Sequence, residues 1–327
     1  MNNIGILGLG HYLPKNVLTN FDLEKMVDTS DEWIFTRTGI KERRVASEGE
    51  KASDMAGAAA KEALKQAGVL PEELDLIIVA TISPDSNFPA VACLVQKALG
   101  ARSAVAFDIS AACSGFLFAV TTAKQFLRNG VYRRALVIAA ERFTHLLDWN
   151  DRSTCVLFGD GAGACVLGEV SSDRGIVADY LKSEGQYGHL LSVVMEDRQP
   201  LDQKTKTMSL PYIEMHGKEL FKVAVNSMAE AVHVALERAG IGLKDVDCVV
   251  PHQANDRIIS GVANKLGVSR EKFFINIEKY GNMSAASIVV ALYEAVEQGR
   301  VRPGDTVVLV AFGAGLVSAA TILKWGR

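Results

Sequence analysis

The sequence lacks the features that mark disulfide-stabilised, exported or nucleic-acid-binding proteins. Its five cysteines are odd in number and never spaced as C-x-x-C, so they indicate neither a disulfide framework nor a tetrahedral zinc site. The formal net charge of −3, from 35 basic and 38 acidic residues, gives no general attraction to nucleic acid or to an anionic membrane. The N-terminal MNNIGILGLG has no basic region ahead of an apolar stretch. We therefore expect a cytoplasmic protein with no nucleic-acid or membrane partner.

One long uncharged stretch, residues 306–323, has the length of a transmembrane helix. Gly313 and Gly315 divide it into two runs rich in β-branched residues, which predicts two core strands joined by a tight glycine turn. The composition is that of a packed globular protein, because 49% of the 327 residues are hydrophobic and 22% are charged. This length suits two ordinary domains or one large α/β unit.

The chain contains an internal duplication. Residues 61–80 resemble residues 232–251, each reading as a helix, an Ala-Gly stop, a short connection and a buried strand. Further along, AVAFDIS at 104–110 matches KFFINIE at 272–278, which predicts a strand in each half. Short β-branched runs alternate with amphipathic runs in both halves, a pattern typical of parallel strands linked by crossover helices. The sequence therefore predicts two α/β halves.

The predicted boundary between the halves lies near residues 170–180, and we divide the chain into residues 1–172 and 173–327. No low-complexity or Pro/Ser-rich linker separates them, so we expect them to pack as one body. The polar stretch at 194–212 is weakly periodic and indicates either a functional surface excursion or a mobile loop. Its length and polarity raise the hypothesis that it gates a binding tunnel.

Three polar residues occupy corresponding strand ends. Cys113 follows the strand at 104–110 and precedes a helix, Asn282 is its counterpart in the second half, and His252 follows a strand directly. Ligands gather at the carboxyl ends of strands in open α/β sheets, so we expect the three to converge. A helix N-terminus would lower the pKa of the Cys113 thiol and favour the thiolate. The structural alternatives are a buried cysteine, a hydrogen-bonded core histidine and an asparagine N-cap.

The glycine-rich AFGAGL at 311–316 would bring exposed backbone N–H groups to the same edge. Two convergent N–H groups form an oxyanion hole for a thioester carbonyl. A plain hairpin turn is the alternative interpretation of this stretch.

Five motifs carry a family resemblance: DISAACSGF, FGDGAGA, PHQAN, YGNMSAAS and AFGAG. They closely resemble those of the thiolase-like condensing enzymes, with the β-ketoacyl-[acyl-carrier-protein] synthase III family as the nearest match. The resemblance runs from GLGHYLP near the N-terminus to the last strand. The third active-site residue is a second histidine in elongating synthases and a second cysteine in thiolases. It is Asn282 here, which favours the branch that starts chains.

The resemblance implies a duplicated α/β fold with two pseudo-symmetric halves in five layers, α-β-α-β-α. It also implies an acyltransferase that initiates type II fatty-acid synthesis. Cys113 would take an acyl group, acetyl or another short chain, from acyl-coenzyme A (acyl-CoA) and condense it with malonyl-acyl carrier protein, releasing CO2. His252 and Asn282 would stabilise the enolate, and the N–H groups of Cys113 and Ala314 would hold the oxyanion. The family usually has glycine at Ala314, but a backbone donor suffices. No metal and no permanently bound cofactor are implied.

The resemblance also implies substrate-binding residues, which would otherwise read as ordinary surface positions. Those for coenzyme A are Trp33, Arg37, Thr38, Arg152, Phe221 and Asn255. An acidic carrier protein would meet Lys222, Arg257 and Lys265. Phe88 corresponds to a residue that closes the acyl pocket, often across the interface of a homodimer, and its bulk favours short starters.

Two other functions stay open on the sequence. One is a starter-type condensing enzyme of secondary metabolism, with a different acyl donor or nucleophile and the same three residues. The other is a non-catalytic partner subunit or acyl-binding module. A chain of that kind would be expected to have lost its nucleophile, whereas this one retains Cys113, His252 and Asn282.

Overall fold

Two β-sheets organise the chain. In the computed structural model, residues 3–193 and 212–326 are described. Nearly all of the 194–212 stretch, including its proposed gating function, therefore lies outside the described residues. The strands are β1 (Asn3–Tyr12), β2 (Asn16–Thr19), β3 (Glu42–Val45), β4 (Leu76–Ala80), β5 (Val105–Ile109), β6 (Ala135–Glu141), β7 (Gly161–Val170), β8 (Gly175–Ser183), β9 (Leu191–Val193), β10 (Ile213–Met215), β11 (Cys248–Pro251), β12 (Thr306–Gly313) and β13 (Val317–Lys324).

The two large sheets have the same pairing pattern. The first has the strand order β1-β7-β6-β4-β5, and the second has β11-β12-β13-β8. In the first, β4 and β6 are parallel, while β7 is antiparallel to both β6 and β1. In the second, β11 and β12 are parallel, while β13 is antiparallel to both β12 and β8. The predicted duplication is thus present in the topology, and the uncharged stretch forms two strands, as predicted.

The second half departs from the predicted repeat at one strand. Of the expected strand at 272–278, the structure shows a single bridge, between Phe273 and Val249. The reason is the buried side chain of Gln253, whose amide oxygen accepts a hydrogen bond from the N–H of Asn276 at 3.0 Å. Because this side chain satisfies backbone groups that a ladder would otherwise pair, a continuous strand is not needed here.

Helices cover both faces of each sheet. They are α1 (Asn20–Leu23), α2 (Asp31–Thr38), α3 (Ala52–Ala67), α4 (Val91–Leu99), α5 (Gly115–Arg128), α6 (Gly217–Ala239), α7 (Asp256–Leu266), α8 (Ile277–Tyr280) and α9 (Ala286–Glu297). The pair α5 and α9 lies between the two sheets, with α3 and α4 outside the first sheet and α6 and α7 outside the second. This is the expected five-layer arrangement. No helix of the described residues is long and apolar enough to span a bilayer.

The central layer is a close-packed support for the loops at its end. Helix α9 is buried along most of its length, which explains why its sequence is apolar on all sides. It approaches β7 so closely that a Cβ atom at Gly163 would lie 2.3 Å from the side chain of Val289. Each fully buried aliphatic side chain in this layer contributes roughly 1.5–3 kcal/mol. The residues that start α5 and α9 are therefore rigidly held.

Candidate active site

The three predicted catalytic residues lie around one cavity of about 2080 Å³. Cys113 belongs to a 3₁₀ turn between β5 and α5. His252 follows β11 directly, and Asn282 lies between α8 and α9. The glycine turn between β12 and β13 lines the same cavity. The carboxyl ends of the parallel strands thus bring together residues that are up to 169 positions apart in the chain.

The glycine turn packs against the backbone of Cys113. A Cβ atom at Gly313 would lie 2.6 Å from the Cys113 nitrogen, so only glycine allows this approach. Ala112, just before the cysteine, has φ of +45°, in the left-handed region that costs a non-glycine residue roughly 1–3 kcal/mol. The close approach of Gly313 and the backbone conformation of Ala112 together fix the position of the Cys113 backbone.

The Cys113 thiol is protonated at neutral pH, contrary to the expectation from its helix N-terminus. Burial, with a smaller contribution from the nearby charge of Glu141, raises its pKa to about 12. A shift of three pKa units corresponds to about 4 kcal/mol, whereas a helix terminus contributes at most about 2 kcal/mol. For the pKa of the Cys113 thiol, the effect of burial therefore outweighs that of the helix dipole.

His252 is buried and uncharged. Its backbone N–H donates to the carbonyl of Val310 at 2.7 Å, which continues the pairing of β11 with β12. Burial lowers the pKa of the imidazole to about 3, and Nδ1 has no partner among the described residues. A neutral imidazole keeps one N–H to donate at neutral pH, as stabilisation of a developing oxyanion requires.

Asn282 is held by its backbone on both sides. Its N–H donates to Leu157 O at 2.9 Å, and its carbonyl accepts from Gly159 N at 3.0 Å. Its Oδ1 accepts from the N–H of Ser284 at 2.8 Å. The alternative of an N-cap is wrong, because α9 begins at residue 286 with Ala285 as its N-cap. Its side-chain NH2 donates to none of the described residues and lines the cavity.

A cluster of aromatic and basic residues lies beside the cavity mouth. The guanidinium carbons of Arg37 and Arg152 lie 4.7 Å and 5.3 Å from the ring centroid of Trp33. Arg152 also donates to the backbone carbonyl of Asp28 at 2.8 Å. The side-chain amide of Asn255 donates to the carbonyl of Arg37 at 3.1 Å, linking α7 to α2.

Comparisons with known proteins identify the family. Two models describing 3-oxoacyl-[acyl-carrier-protein (ACP)] synthase III match residues 107–185 and, for its C-terminal part, residues 236–325. A β-ketoacyl-[acyl-carrier-protein] synthase III of Caldanaerobacter subterraneus subsp. tengcongensis is 52% identical, covering 99% of this chain and 98% of the relative. The chain belongs to the β-ketoacyl-[acyl-carrier-protein] synthase III family. The resemblance in its motifs is thereby confirmed, and the chain is an acyltransferase of the condensing type.

Solved structures of the synthase III family agree with this fold. The 3-oxoacyl-[acyl-carrier-protein] synthase III of Aquifex aeolicus superposes with a TM-score of 0.92 at 52% identity, covering 99% of this chain and 100% of that one. A priming β-ketosynthase of the R1128 polyketide pathway also gives a TM-score of 0.92, at 36% identity, covering 98% and 96% of the two chains. Structures of OleA from Xanthomonas campestris, 21–22% identical, share the fold.

Within this synthase III chain, Thr38, which was expected to bind coenzyme A, does not line the cavity. Its side chain is buried, and its hydroxyl donates to Ile34 O at 2.7 Å and accepts from Ile40 N at 3.0 Å. The hydroxyl therefore terminates α2 and is not available to a ligand. The other predicted residues on this side are better placed, since Arg37, Phe221 and Asn255 line the cavity.

Two further predicted residues lie away from the cavity lining. Lys222 and Arg257 line the cavity, but Lys265 lies in the last turn of α7, about 12 Å further along the helix axis. Phe88 is 85% exposed and does not line the cavity of its own chain, whereas the preceding Asn87 does. One chain alone therefore does not place Phe88 in an acyl pocket.

The sequence analysis missed the buried groups behind the nucleophile. Glu141 ends β6 inside the protein, and burial raises the pKa of its carboxyl to about 7. Ser284 is buried close to both Glu141 and Cys113, and its hydroxyl lowers the pKa of each. Two sequence features could have indicated these groups. An acid ends the otherwise uncharged strand ALVIAAE, and a serine lies two residues after Asn282. Among the described residues, no cluster of possible metal ligands is present.

Proposed function

We propose that the chain catalyses the initiating condensation of type II fatty-acid synthesis. In the first half-reaction, Cys113 attacks the thioester of a short acyl-CoA, and the acyl group moves to its sulfur. The backbone N–H groups of Cys113 and Ala314 hold the oxyanion. The observation that supports the proposal is the close packing of the glycine turn on the backbone of Cys113, next to Ala314.

In the second half-reaction, malonyl-acyl carrier protein enters the same cavity. Loss of CO2 leaves an enolate that attacks the acyl-enzyme, giving 3-oxoacyl-acyl carrier protein and the free thiol. His252 and Asn282 stabilise the enolate oxygen by hydrogen bonding. The neutral imidazole and the unengaged amide of Asn282 support this function, since each retains a donor without carrying a competing charge.

Trp33, Arg37 and Arg152 bind the adenine and phosphates of coenzyme A, while Phe221 and Asn255 line the pantetheine path. Aromatic stacking and guanidinium pairing suit this ligand. No permanently bound cofactor or metal is needed for either half-reaction. The five cysteines are free in the structure, which supports a cytoplasmic location.

The carrier protein docks on Lys222 and Arg257, which present positive charge at the mouth of the cavity. Lys265 adds a weaker, more distant charge. The enzyme acts as a homodimer in which Phe88 reaches the acyl pocket of the second subunit. Its 85% exposure in the single chain supports this arrangement, because burial of the ring against a second subunit would be favourable.

Intact mass spectrometry tests the proposal. The protein is incubated with acetyl-, isobutyryl- or octanoyl-CoA, with Cys113→Ser as the control. We expect one acetyl adduct that is absent from the variant, and its conversion to 3-oxobutyryl-acyl carrier protein when malonyl-acyl carrier protein is added. Absence of an adduct with every donor would refute the proposal.

A priming enzyme of secondary metabolism is the second candidate. The similarity to the R1128 priming β-ketosynthase favours it, because the folds superpose with a TM-score of 0.92. The same experiment separates the two candidates. A marked preference for an unusual acyl donor, or condensation with an acceptor other than malonyl-acyl carrier protein, supports the second.

A further inference from the structure

A buried acid, Glu141, lies behind the nucleophile, and one of its two carboxylate oxygens has no hydrogen-bond partner among the described residues. Glu141 is inaccessible to solvent. Its Oε2 accepts hydrogen bonds from the hydroxyl of Ser83 at 2.5 Å and from the N–H of Ile82 at 3.2 Å. Its Oε1 is buried and has no partner among the described residues. Since buried polar atoms are almost always paired, this free oxygen needs an explanation.

Ser284 provides a second unpaired group at the same place. Its hydroxyl is buried and also lacks a hydrogen bond of good geometry. The residue has φ of +49°, and its N–H donates to Oδ1 of Asn282 at 2.8 Å, which fixes its position. The hydroxyl is close enough to lower the pKa of both the Cys113 thiol and the Glu141 carboxyl. Ser284 therefore lies between the nucleophile and the acid.

The first half-reaction needs a proton acceptor at this point. With a pKa of about 12, the Cys113 thiol is almost entirely protonated at neutral pH. Burial lowers the pKa of the His252 imidazole to about 3, which makes it a weaker proton acceptor than Glu141, whose pKa is about 7. Glu141, by contrast, acts on the thiol through its charge. The Ser284 hydroxyl, which acts on both groups, is the side chain placed to connect the sulfur to the carboxylate.

We propose that Ser284 and Glu141 form a proton relay for acylation, with Ser284 in contact with the sulfur and Glu141 as the terminal acceptor. As the Cys113 sulfur bonds to the acyl carbon, its proton passes to the Ser284 oxygen and the Ser284 proton passes to Glu141. The bond between the acyl carbon and the coenzyme A sulfur then breaks. The proton returns along the same path to that sulfur, so coenzyme A leaves as a thiol and the carboxylate is restored.

The relay rests on the proposed function and adds a pH dependence to it. Glu141 accepts a proton only when ionised, and burial raises the pKa of its carboxyl to about 7. The hydroxyls of Thr81, Ser83 and Ser284 and the N–H of Ile82 surround it, and none of these titrates in this range. Cys113 is its charge-coupled neighbour. Acylation should therefore rise with pH through a single inflection near pH 7.

The test compares the wild type with Ser284→Ala and Glu141→Gln. Ser287→Ala is the matched control, because it removes another buried hydroxyl from the same segment, one that accepts from Met283 N at 2.8 Å. Single-turnover acylation by acetyl-CoA and alkylation of Cys113 by iodoacetamide are each followed from about pH 5 to 9. Decarboxylation of malonyl-acyl carrier protein by pre-acylated enzyme is measured in parallel.

We expect acylation to fall about 10²-fold in S284A and E141Q, with loss of the inflection near pH 7, while decarboxylation changes by less than about threefold. S287A should keep the wild-type pH profile. Unchanged profiles in both variants, or an equal loss of both half-reactions at every pH, overturn the relay. Absence of acylation in the wild type overturns the proposed function instead, and the iodoacetamide profile then still decides whether the relay exists.

Discussion

The two halves of the molecule share a topology but differ in the residues that they bring to the cavity. The first half carries Cys113 together with the buried acid Glu141 and the Trp33 cluster, all assigned to acyl-CoA. The second half carries His252 and Asn282, together with the basic residues assigned to the carrier protein. A titratable acid is buried behind Cys113, whereas the proposed enolate site holds a neutral imidazole and an amide. Duplication thus supplied two equivalent strand ends, and under the proposed mechanism their buried neighbours give one the role of nucleophile and the other that of hydrogen-bond donor.

This comparison predicts that the two half-reactions can be separated by mutation. Cys113→Ser should reduce acylation by about 10³-fold or more, since a hydroxyl in this buried site has no adequate base. His252→Ala and Asn282→Ala should instead reduce condensation by about 10²–10³-fold each. Acylation in H252A should change by less than about threefold, whereas N282A also removes the acceptor that positions Ser284 and should lower acylation as well. Single-turnover acylation and steady-state condensation measure the two steps.

As a control, H252A and N282A are first acylated and then mixed with malonyl-acyl carrier protein. Because condensation is slow in these variants, the acyl-enzyme should persist. Acylation that falls in parallel with condensation in H252A would show that the halves do not divide the reaction.

Gly313 is the point where the second half touches the nucleophile of the first. A methyl group there would meet the Cys113 nitrogen at 2.6 Å, so Gly313→Ala should displace the 3₁₀ turn. A displacement near 1 Å costs about 10²-fold in rate, and we expect this loss in acylation. Gly57→Ala is a control for the change of residue type, because its Cβ would meet no atom within 4 Å and its backbone is not in the left-handed region. Normal acylation in G313A would mean that the turn does not set the position of the thiol.

The sequence predicted the architecture better than it predicted the chemistry of the thiol. Periodicity and duplication identified both sheets, because their strands are buried runs whose signal is local. The pKa of Cys113 could not be predicted in this way, since it depends on burial by residues from distant segments. The strand expected at 272–278 failed for a similar reason, because the Gln253 side chain replaces its pairing. The boundary at 172/173 stays a prediction, although β7 ends and β8 begins on either side of it.

Protein stability should reveal the same contrast between the halves. For His252 the folded-state pKa, about 3, lies below its ordinary value, so the unfolded chain binds more protons and stability falls as pH decreases from about 6.5. For Glu141 the folded-state pKa, about 7, lies above its ordinary value of 4.5. Its contribution is fully present below about pH 4.5 and is lost as pH rises through 7.

Urea unfolding of the wild type, His252→Gln and Glu141→Gln over this pH range measures both contributions. The variant H252Q should lose less stability than the wild type on acidification, and E141Q should gain stability relative to the wild type above pH 7. If the free energy of unfolding changed with pH in the same way in all three proteins, the predicted opposite contributions of His252 and Glu141 would be wrong.

The smallest expected effects lie at the cavity mouth, where the second half receives the carrier protein. Lys222 lines the cavity and Lys265 does not, so distance should rank their contributions. An exposed charge acts mainly on the association rate, and we expect Lys222→Glu to raise KM for malonyl-acyl carrier protein several-fold at low salt. Lys265→Glu, an identical change of charge, should raise it less than about twofold. As a control, the KM for acetyl-CoA should stay constant in K265E. If the two variants raised the KM for malonyl-acyl carrier protein equally, the docking surface would lie along α7 rather than at the cavity mouth.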